Sequence, residues 1–414
     1  MIKTIEASLT EGYTHPVRDV LWGHVYMTDK QALLTQALPF LKLSRIFQLG
    51  PVYQVYPGAT HTRASHSIGV YHLGRRLLQN LAERGASLWL TDEGVKSFMA
   101  ACLLHDIGHF PYTHSLKELP LISHETLTGS IILTEPLKSL VADTGADPYL
   151  TAAIVDKGIT EIKSDELFFY RKLLSGALDP DKLDYLNRDA RYCGVPYGAQ
   201  DVDFILSRLY PDKERGADID SRLIPNVESI LFSKYLMYRT VYWHRNVRSA
   251  TAMVKKAILN GLESKKISGE QLYNLDDTGL FTLLEEKTDD QLIKNVHEGR
   301  IFITFAEIPH DQIDITAMRD IKYRSQAEKK IEAVLGIKDI IIDIPEPVSF
   351  ETGLFVIDEN CSFSGSSSAF KSELVNAFIK TLYTVRVFID KKYKNTLKTF
   401  SDSCDIIKQI TEGE

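Results

Sequence analysis

Apolar residues recur with a helical period along roughly the first two-thirds of the chain. Val95, Phe98, Met99, Cys102 and Leu103 stand at i, i+3, i+4, i+7 and i+8, one stripe along one helix. Thr91 is placed to cap it, Asp92 and Glu93 favour the positive end of its dipole, and Gly108 and Pro111 stop it after His105-Asp106. A second helix is expected from about Ser65 into Leu88, carrying Ile68, Tyr71, Leu73, Leu77 and Leu81. A third begins at Asp179-Pro180, with Asp179 as N-cap and Pro180 where a missing N–H does no harm. A fourth is expected over roughly Glu228 to Leu262.

After about residue 265 the texture changes. Short β-branched runs at 301–305, 340–342, 354–357 and 385–389 alternate with helical patterns near 318–335 and 368–382. Cys361 to Ser368 is serine-rich and reads as a loop. The expected class is mainly α: a helical core over residues 1–265 with a smaller α/β accessory region over 266–414. A chain of 414 residues exceeds what one compact core usually supports.

Composition narrows the function classes. Hydrophobic residues make up 44% and charged residues 25%, the balance of a soluble globular protein. A net charge of -7 disfavours an overall basic nucleic-acid binder, though a local basic cleft remains compatible with phosphate. Cys102, Cys193, Cys361 and Cys404 lie far apart without metal-ribbon spacing and read as reduced cytoplasmic thiols. Met1 to Glu6 lack the apolar run of a signal peptide, and no segment reaches the length of a membrane span.

The chemistry concentrates in His66, the adjacent pair His105-Asp106, and Asp181. Two imidazoles and two carboxylates suit divalent iron, manganese, cobalt, nickel or zinc, with positions left for water and phosphate. His105 and Asp106 stand at a helix end, where irregular backbone lets neighbours converge, and His66 and Asp181 come from other helices. Seven of the twelve histidines lie between His61 and His124, a clustering that calls for a local cause. On the third helix Asp181, Tyr185 and Asp189 share a face at i, i+4 and i+8, flanked by Lys182 and Arg188. Tyr238 to Arg245 interleaves aromatics with cations, a composition able to stack a sugar or base and hold phosphate, or simply to pack its rings inward.

Taken in order, these segments resemble the deoxynucleoside triphosphate triphosphohydrolases of the HD superfamily, in particular the bacterial branch related to the animal SAM- and HD-domain enzymes. The resemblance runs over roughly residues 15–265. It rests on Phe47-Gln48-Leu49-Gly50, on Tyr56 through Val70 with His61, Arg63 and His66, on His105-Asp106-Ile107-Gly108-His109 with His114, on His124-Glu125, on Asp181-Lys182-Leu183-Asp184-Tyr185 with Arg188-Asp189, and on Tyr242-Trp243-His244-Arg245. It implies a transition metal on His66, His105, Asp106 and Asp181, with magnesium accompanying the nucleotide. It also implies triphosphate contacts from Arg63, Lys182 and Tyr185, with His109, His124 and Arg245 nearby, and His114 as the catalytic histidine. Gln48 and Asp189 would hold the sugar 3′-hydroxyl, and Tyr242 would pack under the sugar against a 2′-hydroxyl. The partners implied are a nucleotide substrate and further copies of the chain, as a dimer or tetramer.

Some positions depart from the family pattern. Lys117 stands where an aspartate often follows the catalytic histidine, with Glu118 beside it, and Tyr238 replaces a histidine of the animal enzymes' sugar pocket. Gln36, Leu41 and Ser44 do not reproduce those enzymes' guanine-reading activator residues. The competing readings are an HD phosphohydrolase or phosphodiesterase acting on another nucleotide, and a weakly catalytic nucleic-acid-binding protein built on the same scaffold.

Overall fold

A computed structural model of the chain describes residues 2–162, 164–288 and 290–394. Among them eighteen α-helices outweigh nine short strands, so the class is mainly α. The centre is a three-helix contact in which Arg63–Glu83 packs against both Asp92–Leu104 and Pro180–Cys193. Each helix starts where a side chain takes over an orphan backbone donor. Thr62 accepts from Ser65 N, Thr91 from Gly94 N at 3.0 Å, and Asp179 from Lys182 N at 2.7 Å. Gly194, in the left-handed region at φ 66°, ends the third helix.

The expected stripe of Val95, Phe98, Met99, Cys102 and Leu103 is buried, and so are Ala100, Ala101 and Leu104. The helix is therefore enclosed on all sides and sits at the middle of the fold. Gly74 brings the Arg63–Glu83 backbone close to it; a Cβ at that position would lie 2.5 Å from Cys102 Sγ. Cys102, Cys193 and Cys361 are free thiols, and Cys404 lies outside the described residues.

The expected continuous helix from Glu228 to Leu262 is instead two. Ile224–Met237 runs into a π-helical turn, Tyr238–Tyr242, and a new helix begins at Arg245–Glu263. Trp243 N donates to Tyr238 O at 2.9 Å, five residues back, and His244 leaves helical geometry to cap the next helix. The apolar pattern continues through this widened turn, so periodicity alone does not reveal it.

Three small sheets complete the fold. An antiparallel hairpin, Tyr13–Asp19 with Gly23–Thr28, lies near the N-terminus, a feature absent from the pattern reading. Leu209–Asp212 and Gly216–Ile219 form a second hairpin, joined in parallel through Ile219 to Val356 of Phe355–Val356, with Cys361–Ser362 beyond. Cys361 to Ser368 is thus only partly loop, containing that strand and the 3₁₀ turn Phe363–Gly365. The third sheet places Thr384–Ile389 between Ile303–Pro309 and Ile341–Asp343, antiparallel to both. No helix among the described residues is long and apolar enough to cross a membrane.

Far-separated segments fix the loop that carries Gln48. Phe47 pairs with Thr62 in an isolated antiparallel bridge, and Phe47 N donates to Asp277 Oδ2 at 2.7 Å. Burial, with Asp276 beside it, raises the Asp277 carboxyl from 3.8 to about 6, against the lowering pull of Phe47 N–H and Arg63. Because the folded value exceeds the unfolded one, the native state holds the extra proton between about pH 4 and 6, and stability declines as pH rises through that window. Asp277→Asn should remove this decline. The difference between parent and variant should change by about 1–3 kcal/mol across the window, measured by urea denaturation at a series of pH values.

Candidate metal and active site

Three helix ends place the cluster. His66 lies in the first turn of Arg63–Glu83, His105 caps the C-terminus of Asp92–Leu104 with Asp106 following, and Asp181 lies in the first turn of Pro180–Cys193. His66 Nε2 is 2.9 Å from Asp181 Oδ1, and His105 Nε2 is 4.0 Å from the same oxygen and 3.4 Å from Asp106 Oδ1. The ligating atoms of His66, His105 and Asp181 all lie within 4.8 Å of one another. Asp106 borders this triangle rather than closing it. Its Oδ2 accepts from Arg63 NH1 at 2.7 Å, and its Oδ1 is 3.2 Å from His109 Nε2.

The donor set fits a divalent cation. His105 Nδ1 hydrogen-bonds to Cys102 O at 3.0 Å, which puts the proton on Nδ1 and leaves Nε2 as a lone pair; that atom is buried and has no hydrogen-bond partner. An unpaired imidazole acceptor facing two carboxylates lacks only positive charge. His66 carries the same message. Burial disfavours its cation, yet hydrogen bonds to Asp181 and Asp184 raise its pKa to about 10. Asp181, despite burial, is held well below the usual carboxylate range by His66 and His105.

A cavity of about 800 Å³ opens from this cluster. On one side stand His114 and His124, with His109 packed behind them and ring centroids 4.0 to 5.0 Å apart. His109 and His124 are buried, whereas His114 is exposed. Burial, then the Arg63 charge, lowers His109 well below 6.5, and burial lowers His124 to about 4.

Gln48, Arg63, Tyr185, Asp189 and Tyr242 line the same cavity, together with His114 and His124. Gln48 Oε1 is buried and unpartnered. Asp189 Oδ1 meets His61 Nε2 at 2.7 Å and its Oδ2 accepts from Tyr242 OH at 2.6 Å, so both oxygens are already engaged. Lys182 and Arg245 are not on the cavity wall. The Lys182 amine donates to Asp179 Oδ2 at 2.7 Å and Gly176 O at 2.9 Å, and Arg245 is exposed at the start of its helix.

Pattern reading missed other lining groups: Arg248 and Lys255 on the Arg245–Glu263 helix, and Ile344, Glu346, Pro347 and Val348 just after the edge strand Ile341–Asp343. Nothing in their local sequence marks them, because folding alone brings them there. Lys117 and Glu118 also line the cavity; Glu118 pairs with Lys255, and its two oxygens accept from Arg324 at 2.8 and 3.1 Å. Glu118 is therefore held by these cations.

A profile for the HD domain matches residues 63–145, the stretch holding His66, His105 and Asp106, and a profile for the HD-associated region matches residues 212–400. The chain therefore carries an HD domain followed by an HD-associated region. This HD-domain protein is 28% identical over 352 residues to an uncharacterized protein of Methanocaldococcus jannaschii, covering 83% of this chain and 72% of that one. It is 26% identical over 322 residues to the deoxynucleoside triphosphate triphosphohydrolase SAMHD1 homolog of Dictyostelium discoideum, covering 70% and 60%. Bacterial relatives matched at 34% identity are spanned over about half their own length. The fold is that of a phosphohydrolase structure from Bacteroides thetaiotaomicron, with TM-score 0.72, 22% identity, and coverage of 91% of this chain and 100% of that chain.

Metal analysis tests the cluster directly. The purified protein should carry about one transition-metal ion per chain, and His105→Ala and Asp181→Ala should each lose most of it while retaining helical circular dichroism. Unchanged metal content in both variants would remove the assignment.

Proposed function

We propose that this protein is a metal-dependent phosphohydrolase that cleaves deoxynucleoside triphosphates to deoxynucleoside and intact triphosphate. The observation that carries the reading is the junction of two histidine clusters on one cavity: His66, His105 and Asp181 gathered for a cation, beside the rings of His109, His114 and His124. The similarity to proteins named deoxynucleoside triphosphate triphosphohydrolases supports the choice of substrate.

A divalent ion on His66, His105, Asp106 and Asp181 supplies Lewis acidity toward phosphoryl oxygen and water. The chain's own groups do the rest. Arg63, fixed at one nitrogen by Asp106 and with a buried, unpartnered Nε, faces the phosphates. Lys117 adds a second positive charge on the same wall, and Tyr185 a hydroxyl. A triphosphate brings about four negative charges, which raise the proton affinity of neighbouring imidazoles. His114 then takes up a proton as substrate binds and delivers it to the 5′-oxygen when the bond to the α-phosphorus breaks, while the oxygen of water remains on the triphosphate. His109 and His124 hold His114 and the phosphates in place.

The sugar lies against the wall made by Gln48, Asp189 and Tyr242. The free Oε1 of Gln48 accepts from the 3′-hydroxyl, with the remaining lone pairs of Asp189 beside it. The Tyr242 ring, its hydroxyl tied to Asp189, packs under C2′ and offers a 2′-hydroxyl neither space nor partner. That penalty is on the order of 1–3 kcal/mol, about tenfold to a hundredfold in selectivity.

Incubating the metal-loaded protein with each dNTP and NTP and resolving the products tests the reading. Deoxynucleoside and triphosphate are expected, with dATP preferred over ATP by about tenfold to a hundredfold. Monophosphate with pyrophosphate, or diphosphate with phosphate, would overturn the site of attack, and equal rates on ATP and dATP would overturn the sugar gate. Tyr242→Ala should lose activity and narrow that preference. His114→Ala should lower kcat by about 10²–10⁴-fold with metal content unchanged.

A further inference from the structure

The reaction described above uses Asp181, Tyr185 and Asp189 of the Pro180–Cys193 helix and leaves a fully buried pair, Asp184 and Arg188, without a task. Both have 0% exposure. Four donors converge on the Asp184 carboxylate. Oδ2 accepts from His66 Nδ1 at 2.9 Å and from Arg188 Nε at 2.8 Å. Oδ1 accepts from Arg188 NH2 at 2.9 Å and from Trp22 Nε1 at 2.6 Å. Arg188 NH1 in turn donates to Asp19 Oδ2 at 2.9 Å. Asp19 and Trp22 both belong to the N-terminal hairpin, where Asp19 Oδ1 accepts from Leu21 N at 2.8 Å and Trp22 N at 2.9 Å and so folds the indole back toward Asp184.

We propose that Asp19 and Trp22, at the turn of the N-terminal hairpin, are positioning residues for His66, acting on it through Asp184 and Arg188. An imidazole that ligates a metal is neutral and has one N–H. A carboxylate beside Nδ1 keeps that hydrogen on Nδ1 and turns the Nε2 lone pair toward Asp181, the orientation a metal ligand needs. The carboxylate can do this only if it stays ionised and cannot rotate. Arg188 supplies the charge with two parallel bonds, and Trp22 holds the oxygen that His66 does not touch. The space is reserved as well. Gly69, one helical turn after His66, lacks the Cβ that would lie 1.9 Å from Asp184 Oδ1 and 2.5 Å from Arg188 NH2.

A buried ion pair serving only the fold would not need the indole. Burying such a pair costs desolvation that hydrophobic residues of similar volume avoid, and a two-stranded hairpin is marginal by itself. Here the hairpin's turn is anchored twice, by Trp22 on Asp184 and by Asp19 on Arg188, and the same Asp184 carboxylate holds His66.

This inference rests on the metal reading of the His66 cluster, and the test separates the two. Full-length protein stripped of metal is titrated with Co²⁺ and followed by its visible absorption, alongside Trp22→Phe, Asp19→Asn, Asp184→Asn and His66→Ala. Asp184→Asn should weaken Co²⁺ binding about 10–100-fold. Trp22→Phe keeps an aromatic ring but removes the pyrrole half of the indole with its N–H; it should weaken binding by several-fold and shift the absorption bands of the bound ion. A purely structural role would lower the melting temperature and leave the spectrum of the saturated site unchanged. Parent affinity and parent spectrum in Trp22→Phe overturn the proposal, and this variant decides the question even where Asp184→Asn does not fold. If His66→Ala takes up Co²⁺ as the parent does, the metal reading itself falls, and this proposal with it.

Discussion

Buried negative charge at the meeting of three helix ends is the constraint on which the rest of the structure depends. Asp106, Asp179, Asp181, Asp184 and Asp189 are drawn into one small volume, and four of them are nearly inaccessible to solvent. Such charges persist only if each finds a cation or several donors. Asp106 has Arg63, Asp179 has Lys182, Asp184 has Arg188 and Trp22, and Asp189 has His61 and Tyr242. Asp181 is the exception. Its partner among the described residues is His66, a group that ordinarily titrates near neutrality, and beside it lies the unpaired Nε2 of His105. Among these five carboxylates, Asp181 is the one paired only with imidazoles, His66 at 2.9 Å and His105 at 4.0 Å.

This constraint explains why the helices start and stop where they do. His66 and Asp181 project from first turns and His105-Asp106 from a last turn, because side chains at helix ends reach beyond the helix barrel without crossing it. The caps that fix those ends were legible in sequence. Thr91 and Asp179-Pro180 are residue types with a physical reason to stand there, and the structure uses them so. The stripe along Asp92–Leu104 was legible for the same reason, although burial on every side of that helix depends on its neighbours.

Other features were not legible because their causes lie far away in sequence. The Tyr13–Asp19 strand has mostly exposed positions, so no alternation announces it; its role is to deliver Asp19 and Trp22 to a helix more than 160 residues later. The π turn at Tyr238–Tyr242 hid inside an unbroken apolar pattern. Tyr238 and Tyr242, at its two ends, face each other at 5.0 Å on the cavity wall. Lys182 points the other way: the motif places it beside Asp181, but capping of its own helix by Asp179 draws its amine away from the cavity. A motif reports which residues are neighbours in the chain, and competition for hydrogen bonds decides where their ends go.

The two histidine clusters show how neighbours assign opposite tasks to one side chain. His66 faces two carboxylates, and its pKa is carried to about 10 against its own burial; His124 is buried among other imidazoles and near Arg63 and Lys117, and falls to about 4. One end of the cavity therefore attracts cations and the other is electrically poised for an anion, with Arg63 between them through its bond to Asp106. A ligand suited to both ends carries concentrated negative charge and brings a cation to meet the carboxylates. A polyphosphate meets that description, and it would alter the site as it binds: its charge restores proton affinity to imidazoles that burial had kept neutral. The proton for a leaving group then arrives together with the substrate, which keeps the empty cavity from holding several buried positive charges at once.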